Sequence, residues 1–243
     1  MNKDRKAIEC LSQSIEINPK RSDLWIKKAH ILIKLNDKGA EDAYNEALSL
    51  AETEISLNPN NLEAWESKVN ALLGLDRFKD ASNALFKLAD LLSHPSLKKT
   101  CKNNAALVAT KANFETALAE FERKNMGNAR QALEGAVHFL RGLDEEDVKA
   151  LAKEELTRFL TKIADFKNTE NLRVALKVLS KTKGFEEFLS PFKLSLDIVE
   201  TKDVAKFYDV QVEKREIIAG IVERLSGSKD LLPPEYKKIH KDS

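Results

Sequence analysis

The pair Asn18-Pro19 recurs as Asn58-Pro59, and Trp25 recurs as Trp65, in each case 40 residues further on. Aligned positions between them keep their character: Ile15/Ile55, Ile17/Leu57, Asp23/Glu63, Lys28/Lys68, Ala29/Val69, Leu32/Leu72, Ile33/Leu73 and Leu35/Leu75. An internal period of this length constrains the fold more than any other feature of the chain. Each unit is one supersecondary element that cannot bury its apolar face alone, so it must stack on its neighbours.

The unit reads as helix, short turn, helix, stop. Trp25, Ala29 and Leu32 are spaced by four and three, which places them on one helix face, and Trp65, Val69 and Leu72 repeat the arrangement. Phe78, Ala81, Leu85, Leu88 and Leu91 form the stripe of the helix that follows. Small residues such as Ala47 and Ala81 allow two helices to approach closely. Asn58-Pro59 ends a helix because the residue before proline is pushed out of the α region, and Asn60-Asn61 supplies a cap for the next one.

These residues resemble the tetratricopeptide repeat. That family has a Trp early in its first helix, a small residue four later, a large residue three after that, an alanine opening the second helix, and a closing proline. Trp65, Val69, Leu72, Phe78, Ala81 and Leu85 match with the family's spacing, as do Ala7, Ile8, Leu11, Ser14, Ile17 and Pro19 of a partial unit. The Trp25 unit matches through Leu35 and then departs. Against a family period of about 34 residues, a 40-residue unit carries about six extra. They are expected between Asn36 and Leu50, lengthening the second helix at its start. The resemblance covers residues 3–95.

Beyond Pro95 the repeat fades, but helical periodicity persists. Ala129, Ala132, Leu133, Ala136, Val137 and Leu140 form one stripe, and Val148, Leu151, Ala152, Leu156, Phe159, Leu160 and Ile163 another. Phe185, Phe188, Leu189, Phe192, Leu196 and Val199 give a third, and Ile217, Ile218, Ile221, Val222 and Leu225 a fourth. Turns are expected at Asn125-Met126-Gly127-Asn128, Gly142-Leu143-Asp144 and Lys183-Gly184. The segment 127–140 reads as a worn repeat. The run Asp144-Glu145-Glu146-Asp147 belongs at a helix start, where negative charge favours the helix dipole. With only 8 Gly and 6 Pro in 243 residues, and 42% hydrophobic residues to build a core, the composition excludes turn-rich sheet folds. The expected fold is all-α, and the resemblance makes it a right-handed superhelical solenoid of antiparallel hairpins with about eleven helices. The expected organisation is repeats over 1–95, a helical extension over 96–226 and a tail over 227–243 carrying Pro233-Pro234, Lys237, Lys238 and Lys241.

A formal charge of +1 argues against a binder that relies on neutralising nucleic-acid phosphates. The longest uncharged stretches are eight residues, such as Ile55–Leu62, well short of the about 20 a membrane helix needs. Cys10 and Cys101 make no metal or redox motif, and both read as packing residues. His30, His94, His138 and His240 are isolated from one another, and no HExxH, GxSxG or phosphate loop occurs. The expectation is a cytoplasmic protein that is not an enzyme and needs no cofactor or metal.

The resemblance implies a concave groove lined by the first helix of each hairpin. Its expected residues are Asp23, Ile26, His30, Ile33 and Lys34 in one unit and Glu63, Glu66, Asn70 and Leu73 in the next. Relatives that clamp the terminal carboxylate of heat-shock chaperones place Lys one residue after the Trp and Asn four further on. Ile26 and Glu66 stand at the Lys position here, so only Asn70 fits that clamp. The partner expected is another protein or a peptide, not a membrane or a nucleic acid. The acidic residues Asp23, Glu63 and Glu66 favour a neutral or basic segment. A self-associating structural protein ranks second and an RNA-binding solenoid third. The chain starts on what reads as a second helix. That predicts either weak homo-oligomers formed through the N-terminal helix (Ala7, Ile8, Leu11) or upstream repeats of a longer parent.

Overall fold

The computed structural model describes residues 2–143, 146–165, 169–182, 185–203, 205–208, 210, 212–227 and 232. Every regular element among them is a helix. Two compact units divide the chain, Met1–Ala109 and Thr110–Ser243. The first holds α1 (Asn2–Ile17), α2 (Ser22–Lys34), α3 (Gly39–Leu57), α4 (Leu62–Gly74) and α5 (Phe78–Leu91). A long helix, α6 (Pro95–Glu122), runs from the first unit into the second. The second continues with α7 (Met126–Arg141), α8 (Glu146–Asp165), α9 (Thr169–Leu179), α10 (Glu186–Thr201), the single turn α11 (Ala205–Tyr208) and α12 (Val212–Ser226). The sequence-derived boundary at residue 95 falls where α6 begins, while the first compact unit extends to Ala109.

In the first unit each helix packs on the next, and α2 also touches α4. Loops of a few residues leave consecutive helices no alternative to antiparallel packing. Ala29, Ala47, Ala71, Ala81 and Ala89 are fully buried in one core with Leu72, Leu85 and Leu88. The missing side-chain bulk is what lets the backbones approach. Asn61 caps α4 by accepting from the Ala64 amide at 3.2 Å. The first helix of each hairpin ends in the same device. Asn36 and Asp76 take left-handed backbone angles (φ 57° and 54°). The amide three residues past the helix then donates five residues back, from Asp37 to Leu32 and from Arg77 to Leu72. Because Asn36 and Asp76 are themselves in register, α3 and α5 begin at nearly equivalent places. The extra length of α3, 19 residues against 14 in α5, therefore lies at its end and not at its start.

Two other features of this unit are not announced by the sequence pattern. Trp25 and Trp65 are only partly buried: one flank packs on the core, and Lys28 and Lys68 sit over the rings at 5.3 and 5.7 Å. Each indole donates to the proline carbonyl of the preceding stop, Pro19 at 3.4 Å and Pro59 at 2.9 Å. The recurring Trp and Asn-Pro thus form one joint. Gly74, closing α4, carries the buried ring of Tyr44 directly on its Cα; a Cβ there would lie 2.3 Å from Tyr44 Cζ.

The second unit repeats the hairpin stop. Lys124 is left-handed (φ 58°), and the Asn125 amide donates to Glu120. Counting from there, α7 reproduces the buried pattern of α5 at a spacing of 48 residues: Ala81/Ala129, Ala84/Ala132, Leu85/Leu133, Leu88/Ala136 and Ala89/Val137. The same hairpin geometry therefore recurs, and the 28-residue α6 supplies both a partner for α5 and the first helix of this later hairpin. The expected turn at Asn125–Asn128 is shorter than its sequence suggests, since Asn125 is a cap accepting from the Asn128 amide and Gly127 is already helical. The later stripes are buried except Phe188 and Val199, which are half-buried, and Leu151 and Ile217, which are exposed. Pro191 sits inside α10. Asp144, Glu145, Lys183, Gly184 and the Pro-Pro and lysine part of the tail lie outside the described residues.

Candidate functional site

The first helices of the two N-terminal hairpins, α2 and α4, border a cleft of about 680 Å³. Successive turns of α2 present Asp23, Ile26, Lys27 and His30 to it. The matching turns of α4 present Glu63, Glu66, Ser67 and Asn70. The 40-residue register thus sets Asp23 beside Glu63, Ile26 beside Glu66 and His30 beside Asn70. Arg21, Ser22 and Glu54 complete the lining. Glu54 comes from the last turn of α3, which runs antiparallel to both helices and so ends beside their N-termini.

Charge in the cleft is uneven. Arg21 Nε and Nη2 donate to the two Asp23 oxygens at 2.9 and 2.8 Å, and Lys27 Nζ donates to the same carboxylate at 3.1 Å. Burial pushes the Asp23 carboxyl up, but these bonds outweigh it and hold the group below the usual carboxylate range. Both basic residues of the cleft are therefore committed to one acid. Glu54 lies at the opposite extreme. Burial raises its carboxyl, and the neighbouring charges of Asp23 and Glu63 raise it further. Among the described residues Glu54, Glu63 and Glu66 have no salt bridge. The floor is Ile26, buried, with Ser22 and Ser67 beside it, also buried. At the far end the exposed His30 ring meets Tyr44 edge-on, at 5.9 Å between centroids. Taken together, one end of the cleft is a net negative surface with spare acceptors, and the other is neutral and polar.

Of the expected groove residues, Asp23, Ile26, His30, Glu63, Glu66 and Asn70 are brought together. Ile33, Lys34 and Leu73 do not line the cleft. Ile33 and Lys34 are exposed one turn beyond it, and Leu73 is half-buried against the core. Arg21, Lys27, Glu54 and Ser67 were not anticipated. Lys27 and Ser67 are one helix position from residues that were, so a helical wheel centred between Ile26 and His30 would have caught them. Glu54 belongs to a second helix, and only the excess length of α3 hinted that its end reaches this far. Cys101 is buried, its thiol 3.3 Å from the Leu85 carbonyl and pushed up by burial and by Glu66, which makes it a packing group with little thiolate character. Among the described residues no cluster of His, Cys, Asp and Glu is placed to hold a metal, and no helix is long and apolar enough to cross a membrane.

No protein-family model matches the chain, and no curated protein sequence matches it.

Proposed function

We propose that this chain is a non-catalytic adaptor of tetratricopeptide type whose α2/α4 cleft receives a basic segment of a partner protein. The repeat reading is supported by the 40-residue register, the shared left-handed stops at Asn36 and Asp76, and the Trp to Asn-Pro joint. On this reading the hairpins build a right-handed solenoid. The cytoplasm suits a chain with two free thiols, Cys10 and Cys101.

One observation carries the choice of partner. The cleft's cations are used internally on Asp23, whereas Glu54, Glu63 and Glu66 keep their acceptor capacity. A Lys or Arg side chain entering there gains charge-assisted hydrogen bonds and relieves the repulsion that raises Glu54. The apolar Ile26 floor and the His30/Asn70 end accommodate the neighbouring residues of the same segment. An RNA strand would bring phosphates against the same carboxylates, so the site disfavours it.

Fluorescence anisotropy with a labelled Lys/Arg-rich peptide and the full chain tests this reading. Binding should weaken as salt rises, and Glu63→Lys with Glu66→Lys should weaken it by roughly tenfold or more, since two attractive contacts of about 0.5–1 kcal/mol each become repulsive. Affinity unchanged by the double substitution, with helical circular dichroism preserved, removes the cleft as the site.

A further inference from the structure

Arg21 and Asn61 hold the same place in the 40-residue register, directly before α2 and α4. The backbone there is alike, with φ −85° and ψ 98° at Arg21 and φ −70° and ψ 100° at Asn61. The side chains act differently. Asn61 accepts from the Ala64 amide and caps its helix. A guanidinium has N–H donors and no acceptor, so Arg21 cannot do the same, and α2 begins with no side-chain cap. Arg21 also sets a positive charge at the positive end of a helix. α2 thus forgoes the stabilisation that α4 receives, and the residue responsible lines the α2/α4 cleft.

What Arg21 does instead is occupy Asp23. Its Nε and Nη2 reach the two carboxylate oxygens separately, the two-point pairing that suits a guanidinium to a carboxylate. Lys27 makes a single contact with Asp23 from one turn further along α2. The Arg21 guanidinium is held above its ordinary value by its bonds to Asp23 and, more weakly, by the charge of Glu63, so it also bears on the acids across the cleft. The pair is open to water: 54% of the Arg21 side chain and 38% of the Asp23 side chain are exposed. An exposed pair of this kind is weakly held, so a second cation can displace it.

We infer that Arg21 is a built-in competitor for an arginine of the partner, and that Asp23 is a further acceptor of the cleft, open only when Arg21 leaves it. This rests on the reading of the cleft as a site for a basic segment. On entry, a guanidinium of the partner takes over both Asp23 oxygens, Lys27 keeps its contact, and Arg21 swings out to solvent from the non-helical residue that carries it. One two-point pair is replaced by another of the same kind. A segment that does not displace Arg21 is left with Glu54, Glu63 and Glu66 alone.

Fluorescence anisotropy with the full chain and a fluorescein-labelled arginine-rich peptide tests this. Arg21→Asn installs the side chain found at the equivalent position of the next repeat. It should keep the helical circular dichroism and raise peptide affinity about fivefold or more. Lys27→Gln removes the same charge but leaves Arg21 in place, and should raise affinity less. Asp23→Asn should weaken binding at least about threefold more in the Arg21→Asn background than in wild type, because only there is Asp23 open to the peptide. Equal gains from Arg21→Asn and Lys27→Gln, or an Asp23→Asn loss that is the same in both backgrounds, overturn the inference and leave net charge as the cause. Wild-type binding that Arg21→Asn leaves unchanged overturns it too. A peptide that binds neither wild type nor Arg21→Asn at millimolar concentration, or that binds at full strength after Glu63→Lys with Glu66→Lys, overturns the basic-segment reading of the cleft, and the inference falls with it.

Discussion

Replacing Gly74 with alanine tests the packing account at its tightest point. The new Cβ would lie 2.3, 2.4 and 2.5 Å from Tyr44 Cζ, Cε2 and Cε1. Those atoms belong to a ring whose residue is only 2% exposed, so the ring cannot swing into solvent without opening the core around Leu48 and Ala43. Overpacking of this kind costs about 1–3 kcal/mol. Against it, alanine is the better helix former by about 0.5–1 kcal/mol. The net expectation is a loss of about 1–2 kcal/mol, or roughly a 5–10 °C fall in the unit's melting temperature. Both tryptophans of the chain are in the first unit, so indole fluorescence during urea unfolding reports that unit alone. Tyr44→Leu removes the clashing ring atoms. On its own it is destabilising through the cavity it leaves, but combined with Gly74→Ala it should show a favourable coupling of about 1 kcal/mol or more. A Gly74→Ala protein as stable as wild type, or a double substitution that is simply additive, refutes the close approach.

Other outcomes follow from the same structure. Trp65→Ala should cost about 2–3 kcal/mol in thermal or urea unfolding, below the about 3–5 kcal/mol of a fully buried indole, because Lys68 rather than core covers its outer face. Lys124→Gly should stabilise the second unit by about 0.5–1 kcal/mol, read from amide hydrogen exchange in α7, since glycine takes the left-handed angle without the Cβ penalty. Affinity for a basic peptide should begin to fall, as pH is lowered, above the range where an ordinary glutamate titrates. Glu54 takes up a proton early and the cleft loses a negative charge; Glu54→Gln should abolish that early fall in a pH series of binding curves. Asp23 has the opposite sign: its carboxyl is held low, so the stability it lends persists above the ordinary carboxylate range and is lost as pH falls through its lowered value.

Helix identity and core were legible because both rest on period. The stripe over residues 129–140 is buried at every position read from the sequence, and Asn61, of the Asn60-Asn61 pair expected to supply the cap, caps α4. The failures have local causes. Leu151 and Ile217 fit an apolar period yet point to solvent, because periodicity assigns a face without saying how wide the neighbouring helices cover it. The extra residues of the Trp25 unit were assigned to the wrong end of α3, since the left-handed stop that fixes where the helix begins is set by backbone hydrogen bonds and Asn36 does not announce it. Six of nine groove residues meet in one cleft because the register between α2 and α4 carries them. Ile33, Lys34 and Leu73 were one turn too far, and Glu54 was invisible to any pattern confined to the first helices. The stacked contact between Phe114 and Phe159 was equally hidden, since the two are 45 residues apart and no repeat in the sequence links them.

The central claim is that the α2/α4 cleft holds a basic segment, and backbone amide NMR of the full chain titrated with a Lys/Arg-rich peptide tests it most directly. Shifts should concentrate on Asp23, His30, Glu63, Glu66 and Asn70, extend to Glu54 at the end of α3, and spare α8 and α12. Shifts centred on α6 and α8, or spread evenly over surface acids such as Asp90 and Glu134, would contradict it.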